Sequence, residues 1–330
     1  MTLRLVNTLQ HSNESGVRAW HASWSWDGKF LASTGEDKVI KIWSDADNSN
    51  IRCISTLEDA QSRTIRACEW SPDGNFIASA SFDGTVVVWE AQNANKFTWD
   101  QVASIEGHES EVKSVAWSPS GLFLATCGRD KKVWIWEKFG GSEFECVCVL
   151  DGHSQDVKFV CWHPTESILL SSSYDDTIKV WGSENDDWFC IQTLVGHEST
   201  VWGLGFNADG SKFVSCSDDL SLRLWESDHT GKLAGSGSFN LAASLNDLHE
   251  FPVYSCHWSP VHGLIVTGSG DNSITVCSSD NSSLLSVQSK RIEAHSGDVN
   301  CVRWNPQAAS AYLLASAGDD GIIKLWRWEI

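Results

Sequence analysis

Positive charge is scarce in this chain. Its 24 Lys and Arg stand against 43 Asp and Glu, a formal net charge of −19. Polyanions are bound through a basic footprint, so this balance argues against broad binding to nucleic acid or to an anionic membrane face, although it does not exclude a local basic patch. No apolar run reaches the ~18 residues that would span a bilayer. The start, MTLRLVNTLQHSNESG, lacks the basic flank and apolar core of a secretory signal. The 11 cysteines include no CxxC pair, the spacing from which zinc and iron–sulfur sites are commonly built. Without an export signal they are expected as free thiols in a reducing compartment. No long stretch carries a helical period. One Met and three Tyr accompany 19 Trp, and those Trp recur at regular intervals.

The interval is a repeat. An Asp followed six residues later by Trp occurs at Asp37 and Trp43, Asp83 and Trp89, Asp130 and Trp136, Asp175 and Trp181, Asp219 and Trp225, and Asp320 and Trp326. Asp271 heads a seventh copy with Cys277 in place of the Trp. The aspartates are 44 to 52 residues apart. Four residues before each stands Ser33, Ser79, Thr126, Ser171, Ser215, Thr267 or Ser316. Thirteen residues before six of them stands Trp24, Trp70, Trp117, Trp162, Phe206 or Trp258; in the last copy Trp304 is three residues further away. Between these marks, KVIKIW, TVVVW and TIKVW alternate with the period of strands, and SPDG and SPSG are turn chemistry. Seven units of four short strands predict an all-β, seven-bladed WD40 β-propeller occupying residues 1–330 as one domain.

The ring must close. After Trp326 only RWEI remains, so the last copy lacks its outer strand, while LRLVNTL (3–9) is a spare strand ahead of the first. We expect this N-terminal strand to complete the last blade. The longest irregular segment, Asp228 to Ser238, reads as a surface loop between blades five and six.

A histidine 22 residues before the Asp, at His108, His153, His197 and His249, and at His295 with three extra residues, offers a tempting misreading. His, Ser and Asp are the members of a hydrolase triad. A catalytic triad, however, occurs once, beside a cleft and an oxyanion hole. A set repeated at one offset in blade after blade is framework: indole, hydroxyl, imidazole and carboxylate can form one buried hydrogen-bonded chain. Full sets are expected at His108, Thr126, Asp130 and Trp136; His153, Ser171, Asp175 and Trp181; His197, Ser215, Asp219 and Trp225; and His295, Ser316, Asp320 and Trp326. Blade one has only His11 at a longer spacing, blade two has Gln61 and blade six lacks the Trp, so these three are expected to be less well tied. No enzyme site is expected, and no cofactor or metal. Cys68, Cys161, Cys256 and Cys301 fall on inner strands and read as small core residues, as buried thiols usually are. Cys146-Val-Cys148 is the nearest approach to such a spacing and on a strand would face one side, and the acidic pairs Asp175-Asp176, Asp186-Asp187 and Asp319-Asp320 sit in turns.

In a propeller two positions per blade face the channel mouth: the residue before the repeat Asp, and the second residue of the inner strand. The first set is Glu36, Phe82, Arg129, Tyr174, Asp218, Gly270 and Asp319, and the second Arg18, Arg66, Lys113, Lys158, Trp202, Tyr254 and Asn300. Blades one to four thus carry four successive cations in a chain poor in them, joined by Arg129. Phe82, Tyr174, Trp202 and Tyr254 add aromatic anchors of the kind enriched at interface hot spots. Such a mouth suits an acidic peptide with an aromatic residue. The plainer reading is that Lys113 and Lys158 pair with Glu111 and Asp156, two residues earlier.

GHESEVKSVAWSPSGLFLATCGRDKKVWIWE (107–137), HSQDVKFVCWHP (153–164), SSSYDDTIKVW (171–181) and DDWFCIQTLVGHESTVW (186–202) closely resemble the WD-repeat component of the cytosolic iron–sulfur protein assembly machinery. The resemblance runs through all seven blades, is sharpest in blades two to four and weakest in one, five and six. It implies a non-catalytic scaffold of the cluster-targeting complex that holds no cluster itself. Implied partners are a small protein with a reactive cysteine, a HEAT-repeat adaptor, a hydrogenase-like cluster carrier and apoprotein clients, some bearing acidic, aromatic C-terminal tails. The implied setting is cytosol and nucleus. The family's functional arginine matches Arg129. The chain is expected to be monomeric by itself. The competing reading is a recognition module of another assembly, a ubiquitin-ligase adaptor or a chromatin-peptide reader.

Overall fold

In a computed structural model of the chain, residues 1–12, 14, 16–44, 51–184, 187–228, 238–280, 282–307 and 312–329 are described. Among them, 28 strands form seven four-stranded antiparallel sheets and no helix is present. The Asp228–Ser238 loop and Asp186 lie largely or wholly outside the described residues. The architecture is the expected seven-bladed propeller. Its inner strands are β2 (Ala19–Trp24), β6 (Ile65–Trp70), β10 (Val112–Trp117), β14 (Val157–Trp162), β18 (Val201–Phe206), β22 (Val253–Trp258) and β26 (Val299–Trp304).

Strand β1 (Thr2–Gln10) pairs antiparallel with β28 (Ile322–Glu329), Leu3 opposite Trp328 and Leu9 opposite Ile323. The last blade is therefore built from both ends of the chain. Leu3 and Leu9 are buried at its two ends, while Leu5 and Val6 face outward around a bulge. Burying alternate apolar residues specifies the register, because a slip of one residue would turn them all to solvent.

The core lies between sheets. Apolar layers of neighbouring blades interlock in seven clusters, for example Val86 and Val88 of blade two with Val115, Leu124 and Trp136 of blade three. The aromatic residues thirteen before the repeat Asp contribute ties between blades. Trp24 donates its indole N–H to the Arg303 carbonyl, Trp70 to the Ser23 carbonyl and Trp162 to the Ala116 carbonyl, at 3.2, 3.0 and 3.0 Å. Each bond joins one inner strand to that of the preceding blade.

The residue after every repeat Asp has a positive φ: Lys38, Gly84, Lys131, Asp176, Leu220, Asn272 and Gly321, at 63° to 92°. Four, Lys38, Lys131, Asp176 and Leu220, are neither Gly nor Asn, although left-handed backbone disfavours most side chains. The Asp carboxylate holds the turn by accepting the backbone N–H two residues on, as Asp175 does from Thr177 at 3.1 Å and Asp219 from Ser221 at 3.0 Å.

Ring closure rests on the core residues of β1. Leu9→Ala should cost about 2–4 kcal/mol in urea unfolding, the range for a buried Leu truncated to Ala. A loss below the noise would mean that β1 is not part of the cooperative unit.

Candidate functional site

The repeated polar set comes first, because it decides which hydroxyls can react. In blade four the Trp181 indole N–H donates to Ser171 Oγ at 2.8 Å, Ser171 Oγ lies 2.7 Å from His153 Nε2, and His153 Nδ1 lies 2.9 Å from Asp175 Oδ2. The direction follows from valence. The hydroxyl accepts from the indole, so its own proton goes to Nε2, and Nδ1–H donates to the carboxylate. The same chain runs through Trp136, Thr126, His108 and Asp130, through Trp225, Ser215, His197 and Asp219, and through Trp326, Ser316, His295 and Asp320. Thr126, Ser171, Ser215 and Ser316 are each 0% exposed. No substrate can reach these hydroxyls, so none of the four sets is a hydrolase triad.

Blade one departs from expectation. His11 makes a full set, its Nδ1 2.8 Å from Ser33 Oγ and its Nε2 3.1 Å from Asp37 Oδ1, with Trp43 donating to Ser33 at 2.8 Å. The longer connection brings the ring in with its two nitrogens exchanged, and the chain closes all the same. Blade two is looser. Gln61 accepts from Ser79 Oγ at 2.8 Å, but the Trp89 indole N–H is buried without a partner. Blade six keeps His249, Thr267 and Asp271, while Cys277 fills the place of the Trp donor.

The electrostatics follow. Despite burial, hydrogen bonds from the histidines hold the carboxyls of Asp130, Asp175, Asp219, Asp271 and Asp320 below the ordinary Asp range. Burial also lowers the pKa of His197 and His295. Both effects stabilise the fold above the unfolded pKa values and are lost on acidification.

All 11 cysteines are free, and Cys68, Cys256 and Cys301 are buried in the core. Among the described residues no group of three His, Cys, Asp or Glu side chains is placed to hold a metal.

At the mouth, a groove of about 360 Å3 opens between blades three and four, lined by Phe82, Glu111, Lys113, Arg129, Gln155, Asp156, Lys158 and Tyr174. Five of the residues picked out in the sequence meet here: Phe82, Lys113, Arg129, Lys158 and Tyr174. Arg66, Trp202 and Tyr254 line the adjoining channel neck with Lys113 and Lys158. Arg129 stands at the end of β11 (Phe123–Gly128), its backbone N–H on the Glu111 carbonyl at 2.9 Å. Its side chain is 60% exposed, and one guanidinium nitrogen lies 3.4 Å from both Glu111 carboxylate oxygens. A backbone N–H bond, with help from Ser110 and Arg129, holds the Glu111 carboxyl down to about 2, so it stays charged. An exposed pair of this kind is weak, and the guanidinium remains available.

Lys158 is enclosed. Its ammonium lies 4.5 Å from the Trp202 ring centre, 5.0 Å from that of Tyr174 and 4.0 Å from Asp156. Burial, and then the neighbouring Lys113, push its pKa down to about 8. Lys113 pairs with Asp156 of the next blade, whereas Glu111, the partner suggested by sequence proximity, serves Arg129 and Arg63. Trp202 donates to Asp218 at 2.5 Å and meets Tyr254 edge-on at 5.4 Å.

Arg18 requires a correction. Ala19 pairs with Gly35 as Val112 pairs with Gly128, so the inner strand of blade one begins at Ala19 and its second residue is Trp20. Arg18 belongs one step earlier, level with Glu111, and sits 3.3 Å from Asp319 and 3.8 Å from Glu36. The successive mouth cations number three, Arg66, Lys113 and Lys158, with Trp20 in the fourth place. Val17 looked like the first core residue because Ala19 is small. Sequence reasoning also missed Arg63, which reaches Glu111 and the Phe82 carbonyl from a loop with no repeated pattern.

Comparison with known proteins fits this picture. The model of the WD domain, G-beta repeat, matches seven times, at residues 3–44, 51–90, 99–137, 144–182, 188–226, 243–285 and 286–327. A probable cytosolic iron-sulfur protein assembly protein CIAO1 homolog of Chlamydomonas reinhardtii is 51% identical, over 98% of both chains. The chain belongs to the WD-repeat family of cytosolic iron–sulfur protein assembly proteins. Members with the same printed name from Schistosoma japonicum and Caenorhabditis elegans are 40% and 36% identical, over 100% and 99% of this chain and 99% and 100% of their own. Family membership thus extends over the whole propeller, the divergent blades included.

Two variants separate framework from surface. Asp130→Ala should cost about 2–3 kcal/mol, because it strands the buried His108 donor. Arg129→Glu, one residue away, should change stability by no more than ~0.5 kcal/mol. Chemical denaturation of both reads the difference, and equal losses would make Arg129 structural. Stability should also fall steadily as pH drops from about 6.5 to 3, the histidines losing their contribution first and the aspartates below about 4. A flat profile would mean that the buried chains contribute nothing.

Proposed function

We propose that the chain is a non-catalytic scaffold of the cytosolic iron–sulfur targeting complex, and that the groove between blades three and four receives an acidic, aromatic-containing peptide segment of a client or partner. The observation that carries this reading is the grouping of Arg129, Lys113 and Lys158 with Phe82 and Tyr174 around one groove, in a chain with a net charge of −19. A carboxylate entering it meets an exposed guanidinium, and an aromatic side chain meets Tyr174, which is 55% exposed. Arg and aromatic anchors dominate interface energetics. The iron–sulfur cluster is cargo of the assembly, passed between partners while the propeller supplies positions. A small protein with a reactive cysteine, a HEAT-repeat adaptor and a hydrogenase-like carrier are the partners proposed, in the cytosol that the relatives' names specify and also in the nucleus.

The test is complementation. Cells depleted of the protein should lose iron loading of a cytosolic iron–sulfur enzyme, and the wild-type chain should restore it. Arg129→Glu, expressed to the same level, should restore it poorly. Full rescue by the variant would remove the groove from the function.

The protonation of Lys158 gives a second prediction. Its folded pKa of about 8 lies below the ordinary Lys value, so its charge is progressively lost as pH rises through 8. Affinity for an acidic peptide ending in an aromatic residue should therefore weaken between about pH 7 and 9. Calorimetric titration of wild type beside Lys158→Gln measures it, and the variant should show a weaker pH dependence. The same slope in both proteins would assign the effect to another group.

A further inference from the structure

Below the groove the channel narrows to a neck lined by Arg66, Lys113, Lys158 and Arg303, with no carboxylate among its lining residues. Of these four cations, Lys113 is paired with Asp156, and Lys158 shares that carboxylate. Arg303 has partial satisfaction: its Nη1 donates to the Val302 carbonyl at 3.0 Å and to Ser255 Oγ at 3.3 Å, and its plane lies 5.4 Å from the Phe159 ring centre. Arg66 has less. Among the described residues its guanidinium meets no acceptor, only the Trp20 ring at 4.9 Å. A partly buried guanidinium carries five N–H donors, and leaving them unmatched is costly.

Glu69 follows Arg66 on β6 but does not line the neck. Burial raises its pKa to about 7 against the pull of Arg303, so it is an incomplete counter-charge near neutral pH. His21 Nε2, 3.4 Å from Arg303, is held neutral by burial and by both arginines. Ser255 Oγ accepts from Val302 N–H at 3.2 Å and from Arg303, and its own proton finds no acceptor among the described residues. Donors therefore converge on this space from three blades, β6 supplying Arg66, β22 supplying Ser255 and β26 supplying Arg303. The volume of the neck is about 20 Å3, room for one monatomic ion or one or two waters.

We propose that the channel neck is an anion site, holding one chloride-sized monovalent anion between the guanidinium groups of Arg66 and Arg303. The anion replaces the missing carboxylate and allows the cations of blades two, three, four and seven to crowd around one channel. This site adjoins the groove at Arg129, sharing Lys113 and Lys158 with it, but does not depend on the identity of the partner.

The test is thermal unfolding of halide-free protein while sodium gluconate is exchanged for sodium chloride at constant ionic strength. Gluconate is too large for the neck. Wild type should gain roughly 2 °C or more in Tm as chloride saturates. Arg66→Gln, which removes a side chain with no acceptor on the protein and should fold, should respond equally to both salts. In crystals soaked in sodium bromide, the wild-type anomalous difference peak should lie between the two guanidinium groups and be absent from the variant. Equal Tm in the two salts for wild type, a chloride-specific rise retained by Arg66→Gln, or bromide absent from the neck would each overturn the proposal.

Discussion

A tryptophan indole that must give its proton to something sets the terms for this molecule. In five blades it gives it to a buried hydroxyl, the hydroxyl to a histidine and the histidine to an aspartate. The aspartate ends the chain at the surface and holds the tight turn, whose next residue is left-handed in every blade. One polar chain thus fixes a loop, two strands and a turn to one another, in a sheet whose faces are otherwise apolar. Burying so many polar atoms is tolerable only because nearly all are satisfied. In blade two the Trp89 indole N–H is buried without a partner and Ser79 donates to Gln61, so the chain is not formed there.

This framework makes the mouth available for binding. The residue before each aspartate is carried on a turn that the aspartate already secures, so its side chain is not needed to hold that turn. That is why Glu36, Phe82, Arg129, Tyr174, Asp218, Gly270 and Asp319 can differ so widely on seven similar turns. The differences are grouped. Cations and exposed aromatics collect around blades two to four, while Asp218, Asp319 and Glu36 occupy the turns of blades five, seven and one. The mouth is thus divided, with a cationic and aromatic side across blades two to four and acidic turns on blades five, seven and one.

The fold could be read in the sequence because every blade repeats the same few residue types at nearly the same offsets, and the leftover strand at 3–9 had one place to go. The failures have physical causes. His11 stands four residues further from its aspartate than the histidines of blades three to six, since 26 exceeds 22, and only the three-dimensional path shows that it arrives. Ala19 opens an inner strand without looking like a core residue, which displaced Arg18 by two positions. The Lys113 partner lies on the neighbouring blade, at Asp156, a distance of 43 residues that no local pattern encodes. Arg303 occupies a position held in the other blades by Ser23, Glu69, Ala116, Cys161, Gly205 and His257, so no repeat could announce it. Residues that fill the channel are chosen by each other rather than by the blade.

The central claim is that a propeller framed by these buried chains displays Arg129 to the partners of cytosolic iron–sulfur assembly. The direct measurement is affinity purification of the tagged chain from its own cells, wild type beside Arg129→Glu, with the bound proteins identified and quantified by mass spectrometry. Wild type should retain iron–sulfur assembly factors and client proteins, and the variant, folded and equally abundant, should lose a subset of them. Recovery of a ubiquitin ligase or chromatin complex in their place, or an unchanged set of partners on the variant, would contradict it.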